Sequence, residues 1–205
     1  AKKTGIHIVG HWNYKIGTKK NVYVIASGDK AQLYLNGKSL GFGTKSDGFL
    51  FTFKDVNFQA GVLKAVSYDT KGLKVAETQL KTAGKPAAIK LTKMQHPTGF
   101  KADGADLALV QVEVVDATGN RCTIALNMID FEITGPVEWR GGLAQGPDNY
   151  ILSKQLPVEG GVNRILIRSK TVAGKINITA KSPGLKSGII ELTTLAVTVQ
   201  NGLSS

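Results

Sequence analysis

Residues 21–43 read NVYVIASGDKAQLYLNGKSLGFG, and their periodicity decides the fold class. Val22 and Val24, then Leu33 and Leu35, recur at every second position, the period of a half-buried strand. Ala26, Ser27, Gly28, Asp29 and Lys30 supply turn chemistry between the two runs. Asn36-Gly37 follows the second run and is the strongest short-range hairpin signal, because both residues tolerate positive φ. The stretch predicts a meander of three antiparallel strands, one face apolar and the other carrying Gln32, Tyr34 and Lys38. Such a meander is not stable alone and needs a second sheet over its apolar face.

The rest of the chain repeats the pattern. Residues 5–14 (GIHIVGHWNY) alternate and then turn aromatic, residues 48–53 (GFLFTF) form a compact apolar run, and residues 62–68 (VLKAVSY) alternate again. Turn residues at Ala60-Gly61 and at 69–72 separate them, which gives about seven short strands in the first eighty residues, the spacing of a sandwich. Thr82-Ala83-Gly84-Lys85-Pro86 is small, Gly/Pro-bearing and followed by a fresh strand, so it reads as a domain boundary between 1–83 and 84–205. Beyond it, residues 87–91, 107–115, 129–133, 163–169, 174–180 and 189–199 read as strands; a hairpin is expected at 116–120. Residues 135–157 (GPVEWRGGLAQGPDNYILSKQLP) read as a long irregular loop, a length that is usually functional or disordered. No window sustains the helical period. The expected fold is all-β, two tandem immunoglobulin-like antiparallel β-sandwiches.

The chain of 205 residues is 42% hydrophobic and has a formal net charge of +11. No apolar run approaches the ~20 residues of a membrane span, so membrane insertion is not expected. The basic excess invites a nucleic-acid reading, but its distribution argues against one. Of 26 basic residues only Arg121, Arg140, Arg164 and Arg168 are Arg. The lysines mostly alternate with apolar residues, as solvated strand faces do. Before residue 84 the net charge is +8 and after it +3, so a solvated charged surface or complementarity to an acidic neighbour is expected ahead of nucleic-acid binding. Cys122, the single cysteine, has no intrachain partner. The start without Met, close to strand-like sequence, suggests an excised or processed piece.

Candidate chemistry is sparse. His7 and His11 are four apart, but on a strand-like segment with no adjacent Cys or carboxylate, so a metal site is not expected. No GxSxG elbow occurs. The acids mostly occupy turns (Asp29, Asp69, Asp116) or outward strand positions (Glu113, Glu132), not a facing pair fit for glycoside cleavage. Asp103 to Asp106 and Asp148-Asn149 are thin versions of a calcium loop. No catalytic residue, metal or cofactor is expected. Sugar binding needs an aromatic face rimmed by amides, carboxylates or Arg. Two places offer that: Trp12 with Tyr14, and Trp139 with Arg140, Asp148, Asn149 and Tyr150. Such aromatics also plug sandwich ends.

HIVGHWNY (7–14), NVYVIAS (21–27), AQLYLNGKSLG (31–41) and LKAVSYD (63–69) resemble the β-sandwich module that follows the catalytic barrel in family 2 β-galactosidases. ADGADLALVQVEVVDATGN (102–120), NRILIRS (163–169), AGKINITAKSPGL (173–185) and IIELTT (189–194) resemble the last immunoglobulin-like domain of the same enzymes. The resemblance covers nearly the whole chain in the family's domain order. The family's paired catalytic glutamates lie in the barrel, and no position here matches their motifs. GPDNYILSKQLP (146–157) is longer than that domain leads one to expect. The resemblance implies a non-catalytic C-terminal region of a bacterial, periplasmic or extracellular glycoside hydrolase. Its partner would be the catalytic barrel of the same polypeptide, which it would buttress or whose cleft rim it would shape, or it would hold poly- or oligosaccharide. The alternatives are a stand-alone carbohydrate-binding module and an adhesin-type interaction protein.

Overall fold

A computed structural model describes residues 4–145, 147–200 and 203–204. Among them there is no α-helix, and the chain divides into two compact units, 1–82 and 83–205. Both are all-β sandwiches.

The first unit contains β1 (Ile6–Ile8), β2 (Lys19–Ala26), β3 (Lys30–Leu35), β4 (Lys38–Phe42), β5 (Thr44–Ser46), β6 (Leu50–Asn57), β7 (Val62–Tyr68) and β8 (Lys74–Lys81). They form two antiparallel sheets in the orders β1-β2-β6-β5 and β4-β3-β7-β8. Val22, Val24, Phe51 and Phe53 from one sheet and Ala31, Leu33, Leu63 and Ala65 from the other share one core. Asn36 and Gly37 turn the β3–β4 hairpin with φ of 50° and 83°, the left-handed pair that the strand twist demands.

The first connection corrects the sequence expectation. β2 and β3 are not neighbours in a meander; they lie in different sheets. The link is tied to both. Ser27 N donates to Gly5 O just before β1 (3.0 Å), and Asp29 N donates to Tyr68 O at the end of β7 (2.7 Å). Gly28 passes so close that a Cβ would sit 2.7 Å from Tyr68 O. Alternation marks which residues point inward, but it does not distinguish strands lying side by side from strands facing each other across a core.

The second unit contains β9 (Ala88–Met94), β10 (Phe100–Lys101), β11 (Leu107–Val115), β12 (Met128–Thr134), β13 (Val137–Gln145), β14 (Asp148–Ile151), β15 (Gln155–Pro157), β16 (Val162–Ser169), β17 (Gly174–Lys181) and β18 (Gly188–Leu195). Its sheets run β10-β18-β17-β12-β15 and β14-β13-β16-β11-β9, antiparallel except for the short β10–β18 pair. Val110, Val112, Ile165 and Ile167 meet Ile129, Phe131, Ile176 and Ile178 in its core.

The second correction lies here. The segment 135–157 is not an irregular loop; three strands run through it. Its glycines answer to close packing. Gly141 holds φ +77°, where a Cβ would lie 2.6 Å from Leu152 N and Tyr150 O, and a Cβ on Gly142 would overlap Leu156 Cδ2. The register slips at Gly141 against both neighbours, so the glycines mark a bulge within a strand. Residues 116–120 do form a turn, closed by Asp116 N to Asn120 O (2.9 Å). Past this turn the chain returns beside β11 as a single antiparallel bridge, Arg121 opposite Val115, and then runs irregularly as far as β12.

Candidate functional site

Trp12 does not present a binding face. It is 1% exposed, its indole N–H donates to Gln59 O (2.9 Å), and its ring packs on Phe58 and Tyr14. Tyr14 is half-buried; His11 stacks on it at 4.5 Å and Lys20 Nζ sits 4.3 Å from its centroid. Thr82 Oγ1 ties this corner down by donating to Trp12 O (2.8 Å). Burial of this aromatic group closes one end of the first sandwich, leaving no open ring to stack on a sugar.

The second predicted cluster is split by strand alternation. Trp139 faces inward, tilted on Phe131 at 5.5 Å, with its indole N–H donated to Ser153 O (2.9 Å). Tyr150, on β14, also packs against the core. Burial and the neighbouring Asp148 carboxylate raise its hydroxyl pKa. Arg140, Asp148 and Asn149 are exposed. Arg140 lies 3.9 Å from Glu138, which Arg168 also engages at 2.6 Å, and Asn149 Oδ1 accepts from Ile151 N (3.0 Å). The hairpin thus offers a polar rim beside two half-buried rings.

The acids are used structurally. Asp103 Oδ1 accepts from Ala105 N and Asp106 N, while Asp106 accepts from Lys101 N and Leu107 N. Both cap the turn into β11 through these backbone N–H donors. Glu77 and Asp116 are moved from their ordinary proton affinity, and both are moved down. Lys64 and Lys74, each 2.8 Å away, hold Glu77 at about 2. The Gly84 N–H, with Asn120 and Thr118, holds Asp116 well below the carboxylate range despite its burial. A general acid for glycoside cleavage needs the opposite shift.

Sequence reading missed the outward face of β4-β3-β7-β8. Tyr34 donates to Gln32 Oε1 (2.7 Å), and its hydroxyl lies 3.3 Å from that of Tyr68. Gln32 Nε2 donates to Ser39 Oγ (2.8 Å), and Phe42, 60% exposed, meets Tyr68 edge-on at 6.2 Å. The hydrogen bond with Tyr34, then burial, pushes the Tyr68 hydroxyl up to about 12. Beside the tyrosines runs a groove of ≈ 420 Å³ bordered by Lys64, Lys74 and Glu77. Rings, an amide and paired charges on one sheet face are the materials of a saccharide platform. The only signal in the sequence was the outward placing of Gln32 and Tyr34. Tyr68 joins them through the β3–β7 register, Gln32 opposite Val66, which spacing alone does not give.

Known proteins match this chain across both units. The family model described as "Glycoside hydrolase family 2 C-terminal domain 5" matches residues 89–191, and "Domain of unknown function (DUF4982)" matches residues 17–76. A β-glucuronidase of Formosa agariphila is 42% identical over 201 residues, 98% of this chain and 20% of that protein. A β-galactosidase of Bacteroides ovatus is 31% identical over 199 residues, 93% of this chain and 22% of that protein. Among solved structures, a β-glucuronidase from glycoside hydrolase family 2 superposes with a TM-score of 0.89 at 40% identity, covering 98% of this chain and 21% of that one. The chain therefore spans about a fifth of the length of the curated relatives it matches.

Proposed function

The chain belongs to glycoside hydrolase family 2, through its C-terminal domain 5, and from that premise we propose that it is a non-catalytic accessory region of a β-galactosidase- or β-glucuronidase-like glycosidase. In this reading the sandwiches buttress the catalytic barrel of the same polypeptide and contact glycan, in the periplasm or outside the cell. One observation carries it: 98% of this chain aligns with only 20% of a relative named for glycosidase activity. The downward shifts of Glu77 and Asp116 support it, since neither is poised to donate a proton. The first unit then corresponds to the module after the barrel and the second to the terminal immunoglobulin-like domain.

The test is the reading frame upstream of Ala1. A (β/α)₈ barrel carrying two glutamates is expected there; a frame without one overturns the proposal. Glycan contact is assigned to Arg140, Asp148 and Asn149 with the rings of Trp139 and Tyr150, and to the Tyr34–Tyr68 face. A second reading, a stand-alone carbohydrate-binding module, is favoured by that face alone. Titration with neutral β-linked oligosaccharides, followed by tyrosine and tryptophan fluorescence, separates the two. Binding without an upstream barrel supports the module, and no response supports a purely buttressing role.

A further inference from the structure

β13 and β16 pair from Val137 opposite Ser169 as far as Gly141 opposite Leu166, where the register slips. Beyond that point, among the described residues, β13 pairs with β14 and not with β16, while β16 stays on β11 from Arg168 to Val162. The sheet therefore splits, and a pocket of ≈ 440 Å³ lies at the split. Gly141 and Gly142 line it with backbone, Leu109 and Leu166 with aliphatic surface, and Arg121, Arg164 and Gln111 with polar groups. Neither glycine accepts a side chain without collision, with Leu152 and Tyr150 at one and Leu156 at the other.

Its charge is not balanced. Arg140 and Arg168 are both drawn to Glu138, but Arg121 and Arg164 enter no ion pair among the described residues. No acidic residue lines the pocket among the described residues. Arg164 Nε and Nη2 both donate to Gln111 Oε1, at 3.3 and 3.1 Å, which fixes the guanidinium and leaves the Gln111 amide N–H₂ as a donor. In a chain with only four arginines among 26 basic residues, two of them unneutralised border one cavity. A guanidinium's planar fork matches a carboxylate, which a lysine ammonium meets only as a point charge.

We propose that this pocket holds an acidic sugar, the carboxylate of a uronic acid residue resting on Arg121 and Arg164. The Gln111 amide donates to a ring hydroxyl, and Leu109 and Leu166 cover the C–H face. The inference rests on the reading that the chain contacts glycan, and it names the class of sugar and a site distinct from both aromatic clusters.

The experiment is a titration of the full chain with methyl β-D-glucuronide, methyl β-D-glucoside and sodium sulfate, followed by amide and arginine Nε shifts in ¹H–¹⁵N spectra. The expected result is saturable binding of the glucuronide, with shifts centred on Gly141, Gly142 and Arg164. The glucoside binds at least about ten-fold more weakly, as the loss of a charge-assisted hydrogen bond requires. R121A and R164A each weaken the glucuronide by about ten-fold or more, R164K weakens it while keeping the charge, and K175A on the opposite sheet leaves it unchanged. Unaltered melting temperatures separate these losses from unfolding; if R164A does not fold, R121A and R164K decide. Equal affinity for glucoside, sulfate competing as well as glucuronide, no glucuronide shifts, or indifference to R121A and R164K overturns the proposal. Those outcomes leave the accessory reading standing if a barrel lies upstream, whereas a frame without a barrel rejects that reading without touching the pocket.

Discussion

Asn36 shows how much one turn residue contributes. It adopts φ 50°, its Oδ1 accepts from Val62 N (2.8 Å) and its Nδ2 donates to Ala60 O (3.0 Å), so it closes the β3–β4 hairpin and fastens it to the start of β7. Asn36→Ala removes both bonds and leaves a left-handed conformation that alanine resists. The expected cost is about 2 kcal/mol, seen as a melting transition of the first unit lowered by about 12 °C. Asp116 does comparable work in the second unit, where its carboxylate accepts from Gly84 N, Thr118 N and Oγ1, and Asn120 N and Nδ2. Its folded pKa lies below the unfolded value, so its stabilisation is complete above the ordinary carboxylate range. It is lost as pH falls through the folded pKa. Stability of the wild type should decline on acidification, and Asp116→Asn should be less stable at pH 7 by about 1–3 kcal/mol with a flatter acid limb. Urea unfolding at pH 7, 4 and 3 measures both; a variant as acid-sensitive as the wild type contradicts the assignment.

At the scale of elements, the β13–β14 hairpin carries the sharpest consequence of the fold. Gly141→Ala must accept a positive φ and a Cβ 2.6 Å from the backbone of Tyr150 and Leu152. The expected loss is about 2 kcal/mol or more, read as a lower melting temperature of the second unit; a neutral result would contradict the bulge. Strands with clean alternation were legible in advance: β7 and β11 run over the same residues, 62–68 and 107–115, that the apolar period marks. The β3–β4 turn was legible because Asn-Gly has one favoured geometry. The β2–β3 crossover was not, because Val22, Val24, Leu33 and Leu35 show the same period whether they sit beside or across from each other. β13 was hidden because Gly135, Gly141 and Gly142 read as loop residues, when two of them serve a bulge under close packing. The rings of the candidate sites were identified by type. Their burial depended on tertiary partners, Gln59 for Trp12 and Ser153 for Trp139, far along the chain or across a turn.

At the scale of the molecule, each unit has its own apolar core, while large apolar side chains such as Ile16, Phe49, Ile124, Leu126, Leu143 and Ile189 stay exposed. Glu77 and Asp116 are held as anions at neutral pH by their hydrogen-bond donors, the reverse of a protonated acid beside a nucleophile. In the proposed function, bond cleavage belongs to another part of the polypeptide. Hydrolysis of 4-nitrophenyl β-D-galactoside and β-D-glucuronide decides this, comparing residues 1–205 alone with the complete polypeptide encoded by the reading frame. Turnover is expected from the complete polypeptide and none above the buffer rate from residues 1–205; turnover by residues 1–205 on their own overturns the proposal.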